Sequence, residues 1–287
     1  YDTGSGTKDA YIIDINGAEA SVTKAGDMNF QRTLANSVVL PNGQVLVIGG
    51  QTETLLFSDD YAVMKAEIFD PVTKQFTALS AMKVPRTYHS MAILMIDGRV
   101  LVAGGGLCGG CPGNHRDFEI FVPPYLTNGE EMATQPVIQS APDSFTPGSL
   151  IAVTMDKSHT FALIRTSAVT HAVNNDQRRI PLSVSSKSGK TFTLQVPSNP
   201  NVAITGVYYL FAMNENGVPI VAKAVRIILE GSGSFIDPSV ESLVTSVLKT
   251  APTETPVASS VAFITSAPTK APAVSGTLTP TPAPATA

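Results

Sequence analysis

The chain of 287 residues carries a formal charge of −4 at pH 7, with 43% hydrophobic and 15% charged residues. This composition suits a globular protein of one or two domains. Lysines and arginines are scattered among a slight excess of acids, so we expect no nucleic-acid partner. No apolar run approaches the roughly 20 residues of a membrane span. Because the chain begins at Tyr1, without an initiator methionine or a signal peptide, we interpret it as a fragment or a processed product.

An internal repeat occupies residues 1–126. NFQRTLANSVVLPNGQVLVIGG at 29–50 is similar to VPRTYHSMAILMIDGRVLVAGGG at 84–106, and each is followed by an aromatic segment, AEIFDPVTKQF or FEIFVPPYL. Both copies predict a strand, an Asn-Gly or Asp-Gly turn, a second strand and a glycine doublet. A period of about 50 residues with these parts is typical of a kelch-type β-propeller blade. About two and a half units are present, too few to close a propeller, so we expect further blades upstream of Tyr1.

A different pattern begins near residue 132. Short alternating strands follow one another up to residue 230, in SLIAVTM, TFALIRTSAVTH, TFTLQV, GVYYLFAMN and KAVRIIL. About 100 residues of such strands indicate an immunoglobulin-like β-sandwich. Residues 231–287 are rich in Pro, Ser, Thr and Ala and predict a disordered tail.

The two cysteines, Cys108 and Cys111, lie in GGGLCGGCPGN. A C-x-x-C pair is compatible with a redox centre, half of a zinc site or a local disulfide, and spacing alone does not separate them. Only His115 is a nearby zinc ligand, and no βαβ pattern accompanies the pair. We therefore favour a disulfide, which in turn indicates an oxidising, extracellular setting.

Tyr88 and His89 are candidates for a functional role because the internal repeat does not need them. Aligning Arg32 with Arg86 places this pair where the earlier copy has leucine and alanine. Neighbouring side chains on a strand point to opposite faces, so both reach one ion only where a strand meets an irregular end. A structural role in the blade is the alternative.

His171 opens HAVNNDQRRIPL, a polar hairpin tip between two apolar strands of the predicted sandwich. Such a loop is typical of a functional segment. The alternative is a solvated turn in which Arg178 and Arg179 donate to backbone carbonyls. Of the two remaining histidines, we expect His115 to fix the cysteine loop through a hydrogen bond and His159 to be solvated.

RTYHSMAILMIDGRVLVAGGGLCGGCPGNHRDFEIFVPPYL, together with THAVNNDQRRIPL, resembles the copper radical oxidase family, and specifically its galactose oxidase branch, over residues 1–230. The resemblance implies a seven-bladed kelch-type propeller, present here in part, and an immunoglobulin-like early-set sandwich whose hairpin delivers one metal ligand. It implies imidazole ligands at His89 and His171 and an axial phenolate at Tyr88, a donor set that suits Cu(II). Tyr88 would also act as the general base for the alcohol proton.

The resemblance also implies a second redox centre, a tyrosyl radical on a tyrosine cross-linked to a cysteine. Cys108 and Cys111 match the family's disulfide loop, the other tyrosines match no radical-site motif, and the chain has no tryptophan. We therefore expect the tyrosyl-cysteine cofactor upstream of Tyr1, and we expect the 287-residue chain alone to bind copper weakly and to be inactive.

Substrate contacts are carried over more loosely. YDTGSGTKDAYII resembles the segment that lines the family's substrate pocket, which places Tyr1 and Asp2 there, although galactose oxidase has glutamine where Asp2 stands. Phe57 matches an aromatic that packs on the apolar face of the sugar; an ordinary blade-loop aromatic is the alternative.

We thus predict part of a secreted copper alcohol oxidase that converts primary alcohols or carbohydrates and O2 into aldehydes and H2O2. The glyoxal oxidase branch, which acts on aldehydes, is similar at the ligand positions but lacks the cysteine loop. A non-catalytic extracellular module that binds glycan or cell wall is a third possibility. We expect a monomer, with the tail as a possible wall attachment.

Overall fold

The computed structural model describes residues 4–106, 108–156 and 160–229. Regular structure in these ranges is all β apart from one 3-10 turn at Pro124–Leu126, as the sequence predicts. Tyr1, Asp2, His159 and the predicted tail lie outside the described residues. Within the described part, no helix is long and apolar enough to span a membrane.

Three antiparallel sheets form the first part of the chain. The first has two strands, β1 (Thr7–Asp14) and β2 (Ser21–Arg32). The second is a four-stranded meander of β3 (Asn36–Val39), β4 (Val45–Ile48), β5 (Lys65–Asp70) and β6 (Gln75–Ala81). The third has β7 (Ser90–Leu94), β8 (Val100–Gly104) and β9 (Phe118–Phe121). One complete kelch-type blade therefore lies between two shorter ones, in agreement with the two and a half predicted units.

The turns inside the repeats follow from their sequence. Asn42-Gly43 joins β3 to β4, and Asp97-Gly98 joins β7 to β8. The two glycines have φ values of +93° and +83°, which a residue with a Cβ rarely adopts. The predicted Asn-Gly and Asp-Gly hairpins are confirmed.

Buried charge pairs explain the rest of the repeated pattern. The guanidinium of Arg32 lies 2.9 Å from the carboxylate of Glu67 and donates to the carbonyl of Gly49, with both charged side chains at most 1% exposed. Glu67 in turn accepts the backbone N–H of Asn29 at 2.6 Å. The pair therefore ties the segment before β3 to the middle of the same blade.

The next blade has a related arrangement in which the arginine has a different carboxylate partner. Arg86 is fully buried and donates to the carbonyl of Gly104, and its guanidinium lies 3.0 Å from Asp117 and 3.9 Å from Glu119. Glu119 accepts the backbone N–H groups of Lys83 and Val84. The internal similarity of the sequence is thus a similarity of buried hydrogen bonds as well as of strands.

The second part of the chain begins with a small hairpin of β10 (Thr127–Asn128) and β11 (Glu131–Met132). Eight further strands then form a curled sheet in the order β12-β14-β17-β16-β15-β18-β19-β13. Their bounds are β12 Ile138–Ser140, β13 Ser144–Phe145, β14 Leu150–Met155, β15 Thr160–Arg165, β16 Arg179–Ser188, β17 Thr191–Gln195, β18 Gly206–Met213 and β19 Lys223–Ile227.

The long strand β16 turns this sheet into a sandwich. Its first four residues pair with β15, and the residues from Ser183 onward pair with β17, with a register shift between Val184 and Ser186. The two halves of the sheet then face each other, and the rings of Phe161 and Phe192 pack between them with centroids 5.1 Å apart. The predicted immunoglobulin-like sandwich is confirmed.

One predicted strand was too long. The sequence indicates a strand from Thr160 to His171, whereas β15 ends at Arg165. Arg165 is still paired with Tyr208, and the chain leaves the sheet after it, where the Arg165 guanidinium donates to Asp176 and to the carbonyl of Thr205. Residues 166–178 consequently form a loop, which is called the hairpin loop below.

A continuous hydrophobic core joins blades and sandwich, with members from β3 to β19. Polar contacts reinforce the junction: the hydroxyl of Tyr125 donates to the carbonyl of Gly98 at 2.6 Å, and Ala222 N–H donates to Ile96 at 2.8 Å. Burial raises the pKa of Tyr125 well above its usual value, so this phenol remains a hydrogen-bond donor. The predicted domain limits at 126 and 132 remain a prediction.

Glu67→Ala tests the contribution of the buried pair. The substitution leaves the charge of Arg32 buried without a partner, and we expect the free energy of unfolding to fall by about 3–5 kcal/mol. Urea unfolding followed by circular dichroism measures the change.

Asp27→Asn is the control, because the Lys24–Asp27 pair is about half exposed on both sides and should leave the urea midpoint nearly unchanged. Equal midpoints for the two variants would contradict a structural role for the buried pair.

Candidate metal centre

Tyr88 and His89 lie in a turn immediately before β7 rather than on the strand. His89 has a φ of +65°, so the chain bends here and both side chains reach the same side. Their rings are stacked, with centroids 3.8 Å apart and planes 26° apart. The irregular strand end that two adjacent ligands require is therefore present.

His171 occupies a tight turn within the hairpin loop. Thr170 and Val173 exchange two backbone hydrogen bonds, and the central residues His171 and Ala172 have φ values of +53° and +59°. This is the pattern of a type I′ turn, which normally contains Asn-Gly. Each non-glycine residue at positive φ costs on the order of 1–3 kcal/mol, and such strain is common at functional sites.

The turn brings His171 to the other two side chains. The His171 and His89 rings are 4.7 Å apart and nearly perpendicular, and the Tyr88 ring is 5.9 Å from that of His171. The fold therefore brings the three sequence-predicted ligands together in one cluster, called the Tyr-His-His cluster below.

Hydrogen bonds at Nδ1 orient both imidazoles. Nδ1 of His89 lies 2.7 Å from the carbonyl oxygen of Gly106, so it carries the proton and leaves the Nε2 lone pair for a ligand. Nδ1 of His171 lies 2.7 Å from Oγ1 of Thr170, which allows the same tautomer. Outer partners of this kind are typical of metal-ligating histidines.

The cysteine loop supports the cluster from one side. Cys108 and Cys111 are joined in a disulfide, so neither offers a thiolate to zinc. The loop closes on Gly106, where an added Cβ would collide with the carbonyl of Gly113. This packing fixes the carbonyl that orients His89.

Phe57 forms a second boundary of the cluster. Its ring makes an edge contact with Tyr88 at 5.4 Å and lies 5.9 Å from His89. Its loop is held by His115, whose Nε2 lies 2.8 Å from the carboxylate of Asp59, so His115 fixes the cysteine loop against the Phe57 loop.

The fully buried Gln51 also lies within hydrogen-bonding distance of three carbonyls of the Phe57 loop.

Gln51 and Thr170 were not singled out from the sequence. Their roles depend on distances across loops, which no local pattern encodes.

The two arginines of the hairpin segment donate to backbone carbonyls. Arg178 donates to the carbonyls of Asn201 and Val202, and Arg179 donates to the carbonyl of Pro41. Tyr1 and Asp2, the predicted substrate contacts, lie outside the described residues.

The donor set of the cluster fits Cu(II). Two imidazole nitrogens and one phenolic oxygen suit a tetragonal copper ion, whereas Mg²⁺ and Ca²⁺ prefer oxygen ligands and structural zinc prefers thiolates. In the described ranges, no group of three or more His, Cys, Asp or Glu residues is arranged to hold a metal ion. The Tyr-His-His cluster is therefore treated as a candidate metal site on the chemistry of its own donors.

Kelch-type blades, a β-sandwich and a Tyr-His-His cluster at their junction define a propeller–sandwich protein with a candidate metal centre. Two family models match the chain: Glyoxal oxidase N-terminus at residues 5–110 and Galactose oxidase-like, Early set domain at residues 135–227. The resemblance to the copper radical oxidases, and to galactose oxidase in particular, that the motifs indicate is confirmed by these matches.

Individual relatives agree with this assignment. A galactose oxidase of Gibberella zeae is 40% identical over 233 residues, and an aldehyde oxidase of Arabidopsis thaliana is 29% identical over 245 residues. A solved structure, described as a novel fungal alcohol oxidase of the AA5 family in complex with copper, is 44% identical with a TM-score of 0.76.

These alignments cover much of this chain but less of its relatives. The matches span 79%, 77% and 79% of the chain, against 34% of the galactose oxidase, 40% of the aldehyde oxidase and 49% of the alcohol oxidase chain. The chain therefore corresponds to about a third to a half of the proteins that it matches.

Ala172→Gly tests the strain in the type I′ turn. Glycine adopts a φ of +59° without steric cost, so we expect the free energy of unfolding to rise by about 1 kcal/mol. Urea unfolding measures the change.

Ala168→Gly is a matched control in the same loop, because Ala168 is exposed and does not have a positive φ. There glycine only adds freedom to the unfolded chain, and we expect a loss of a few tenths to 1 kcal/mol, about the reverse of the first variant. A loss of stability in Ala172→Gly would refute the strained turn.

Proposed function

We propose that this chain provides three copper ligands and the general base of an alcohol oxidase. The observation that supports this proposal most directly is that Tyr88, His89 and His171 come together from two separate parts of the fold. Both imidazoles are oriented by a hydrogen bond at Nδ1. A blade scaffold does not need this convergence, since the preceding blade has leucine and alanine at the positions of Tyr88 and His89. The copper-bound alcohol oxidase structure supports the choice of metal.

The proposed reaction is the oxidation of a primary alcohol by O2 to an aldehyde and H2O2. The alcohol gives up two electrons and two protons, and O2 accepts both pairs, so the equation balances. Cu(II), when bound, accepts one of the two electrons. Tyr88 in its phenolate form accepts the hydroxyl proton of the alcohol as general base.

The second electron needs another acceptor, and we propose a tyrosyl-cysteine radical that lies outside these 287 residues. A thioether to tyrosine requires a free cysteine. The chain has two cysteines, and both are in the Cys108–Cys111 disulfide. The chain by itself thus holds the metal-binding half of the proposed centre.

Primary alcohols, including carbohydrates, are the proposed substrate class. The galactose and alcohol oxidases are 40% and 44% identical to this chain, against 29% and 30% for the aldehyde oxidases of Arabidopsis thaliana and Vitis pseudoreticulata. Phe57 lies at the edge of Tyr88, where its apolar ring is suited to pack on the C–H face of a sugar or on an aromatic alcohol. Asp2 replaces a family glutamine, which argues for an alcohol other than galactose.

A secreted monomer is the form that we propose. The Cys108–Cys111 disulfide suits an oxidising compartment, and disulfides persist mainly outside the cytosol. Attachment to a cell wall through the Pro/Ser/Thr-rich tail belongs to the same proposal.

Copper titration of the 287-residue chain tests the ligand set. We expect one Cu(II) per chain with nitrogen hyperfine structure in the EPR spectrum. His89→Ala and His171→Ala should each weaken binding at least about tenfold, since each removes one imidazole donor.

His159→Ala is the control, because it also removes one imidazole and the sequence gives His159, in DKSHTF, no predicted ligand role. An unchanged affinity in His171→Ala would instead favour a non-catalytic module that binds glycan or cell wall.

Peroxide formation tests the division of the redox centre. A peroxidase-coupled assay with galactose or benzyl alcohol should detect no H2O2 from the copper-loaded 287-residue chain, because a single Cu(II) accepts only one of the two electrons. Turnover by this chain would show that the second acceptor lies within it.

A further inference from the structure

The side chain of Gln177 joins the hairpin loop that carries His171 to the four-stranded blade. Its Oε1 accepts the backbone N–H of Val39 at 2.7 Å, and its Nε2 donates to the carbonyl of Ser37 at 2.8 Å. The second hydrogen of the same amide reaches back to the carbonyl of Asn174 at 3.1 Å. One side chain therefore bonds both the blade and the loop.

The geometry of this contact is that of a strand. β3 is the terminal strand of its sheet and pairs with β4 on one side only. Ser37 and Val39 are two residues apart, so the carbonyl of the first and the N–H of the second point to the same open edge. The amide of Gln177 offers one acceptor and one donor at this edge, as a neighbouring strand would.

We propose that Gln177 is a positioning residue for His171: its amide pairs with the open edge of β3 and holds the hairpin loop in the register that places the imidazole beside Tyr88 and His89. The metal part of this inference rests on the proposed copper site. The structural part, which is the docking of the loop on β3, is independent of copper.

Strain in the loop explains why an anchor is needed. His171 and Ala172 both have positive φ values, so the turn is unfavourable on its own and must be held from outside. Asn174, between the turn and Gln177, has both side-chain polar atoms buried without a partner among the described residues, so it adds no such anchor. Gln177 is six residues from His171 and makes the direct polar contacts with β3.

The fraction of chains in which the hairpin loop is docked on β3 sets the apparent affinity for the metal. A ligand binds with an apparent affinity reduced by the fraction of chains in the competent conformation. Without the Gln177 amide the hairpin loop spends more time away from β3, so the Tyr-His-His cluster is complete in fewer chains.

Gln177→Met tests this role, because methionine keeps the length of the side chain and removes both polar atoms. We expect Cu(II) affinity to fall about tenfold, the share of chains in which both imidazoles ligate in the EPR spectrum to fall, and hydrogen exchange of Val39, Thr170 and Val173 amides to accelerate. Gln177→Glu keeps the acceptor for Val39 but not the donor for Ser37, so its values should be intermediate.

Gln195→Met is the matched control. Nε2 of Gln195 donates to the carbonyls of Gly148 and Val196 within the sandwich, so the substitution also removes side-chain hydrogen bonds to backbone. It should leave copper affinity and the exchange of Thr170 and Val173 unchanged.

Each outcome decides the proposal. Wild-type affinity and exchange in Gln177→Met would overturn it. If wild-type protein bound no Cu(II), the proposed function would fail, and exchange alone would then decide: faster exchange at Thr170 and Val173 supports the positioning role, and unchanged exchange rejects it. If Gln177→Met does not fold, the same two readouts on Gln177→Glu decide.

Discussion

A buried arginine that donates to the carbonyl of a glycine recurs in successive blades, and it is the interaction on which the remaining structure depends. Arg86 lies two residues before Tyr88, and its hydrogen bond to the Gly104 carbonyl fixes where the chain leaves the blade and begins the turn before β7. The buried guanidinium of Arg86 also donates to the carbonyl of Asp117, so two backbone segments are held against it. The Tyr88–His89 turn follows Arg86 closely in the chain, so its backbone is restricted as well.

The candidate centre combines a rigid part and a strained part. Tyr88 and His89 lie on a blade whose buried polar groups hold them in place, whereas His171 lies in a type I′ turn without glycine. The strain in this turn is offset by contacts elsewhere, among them the Gln177 amide on β3 and Arg179 on the Pro41 carbonyl. The sandwich therefore places a candidate ligand near the blades through an unfavourable turn that contacts the blade edge.

Individual residues show how far the sequence led. The hairpins, the glycine turns and the all-β class follow from alternation and turn chemistry, which are local. Tyr88 and His89 stood out because they break an internal repeat and His171 because it opens a polar loop, but their roles as ligands were implied by the resemblance to the copper radical oxidases. The end of β15 at Arg165 was missed, since it is set by an ion pair with Asp176 that strand periodicity does not encode.

By itself, the sequence determined the blades, the sandwich, the family resemblance and the residue types of a candidate Cu(II) site, because strand period, turn residues and motifs are properties of neighbouring positions. Only the tertiary structure decided that His171 meets Tyr88 and His89, that Gly106 orients His89 and that Gln177 pairs with β3. These contacts join groups 17 to 140 residues apart in the chain. These contacts form only when the two parts of the core pack against each other, and no local stretch of the sequence determines that packing geometry.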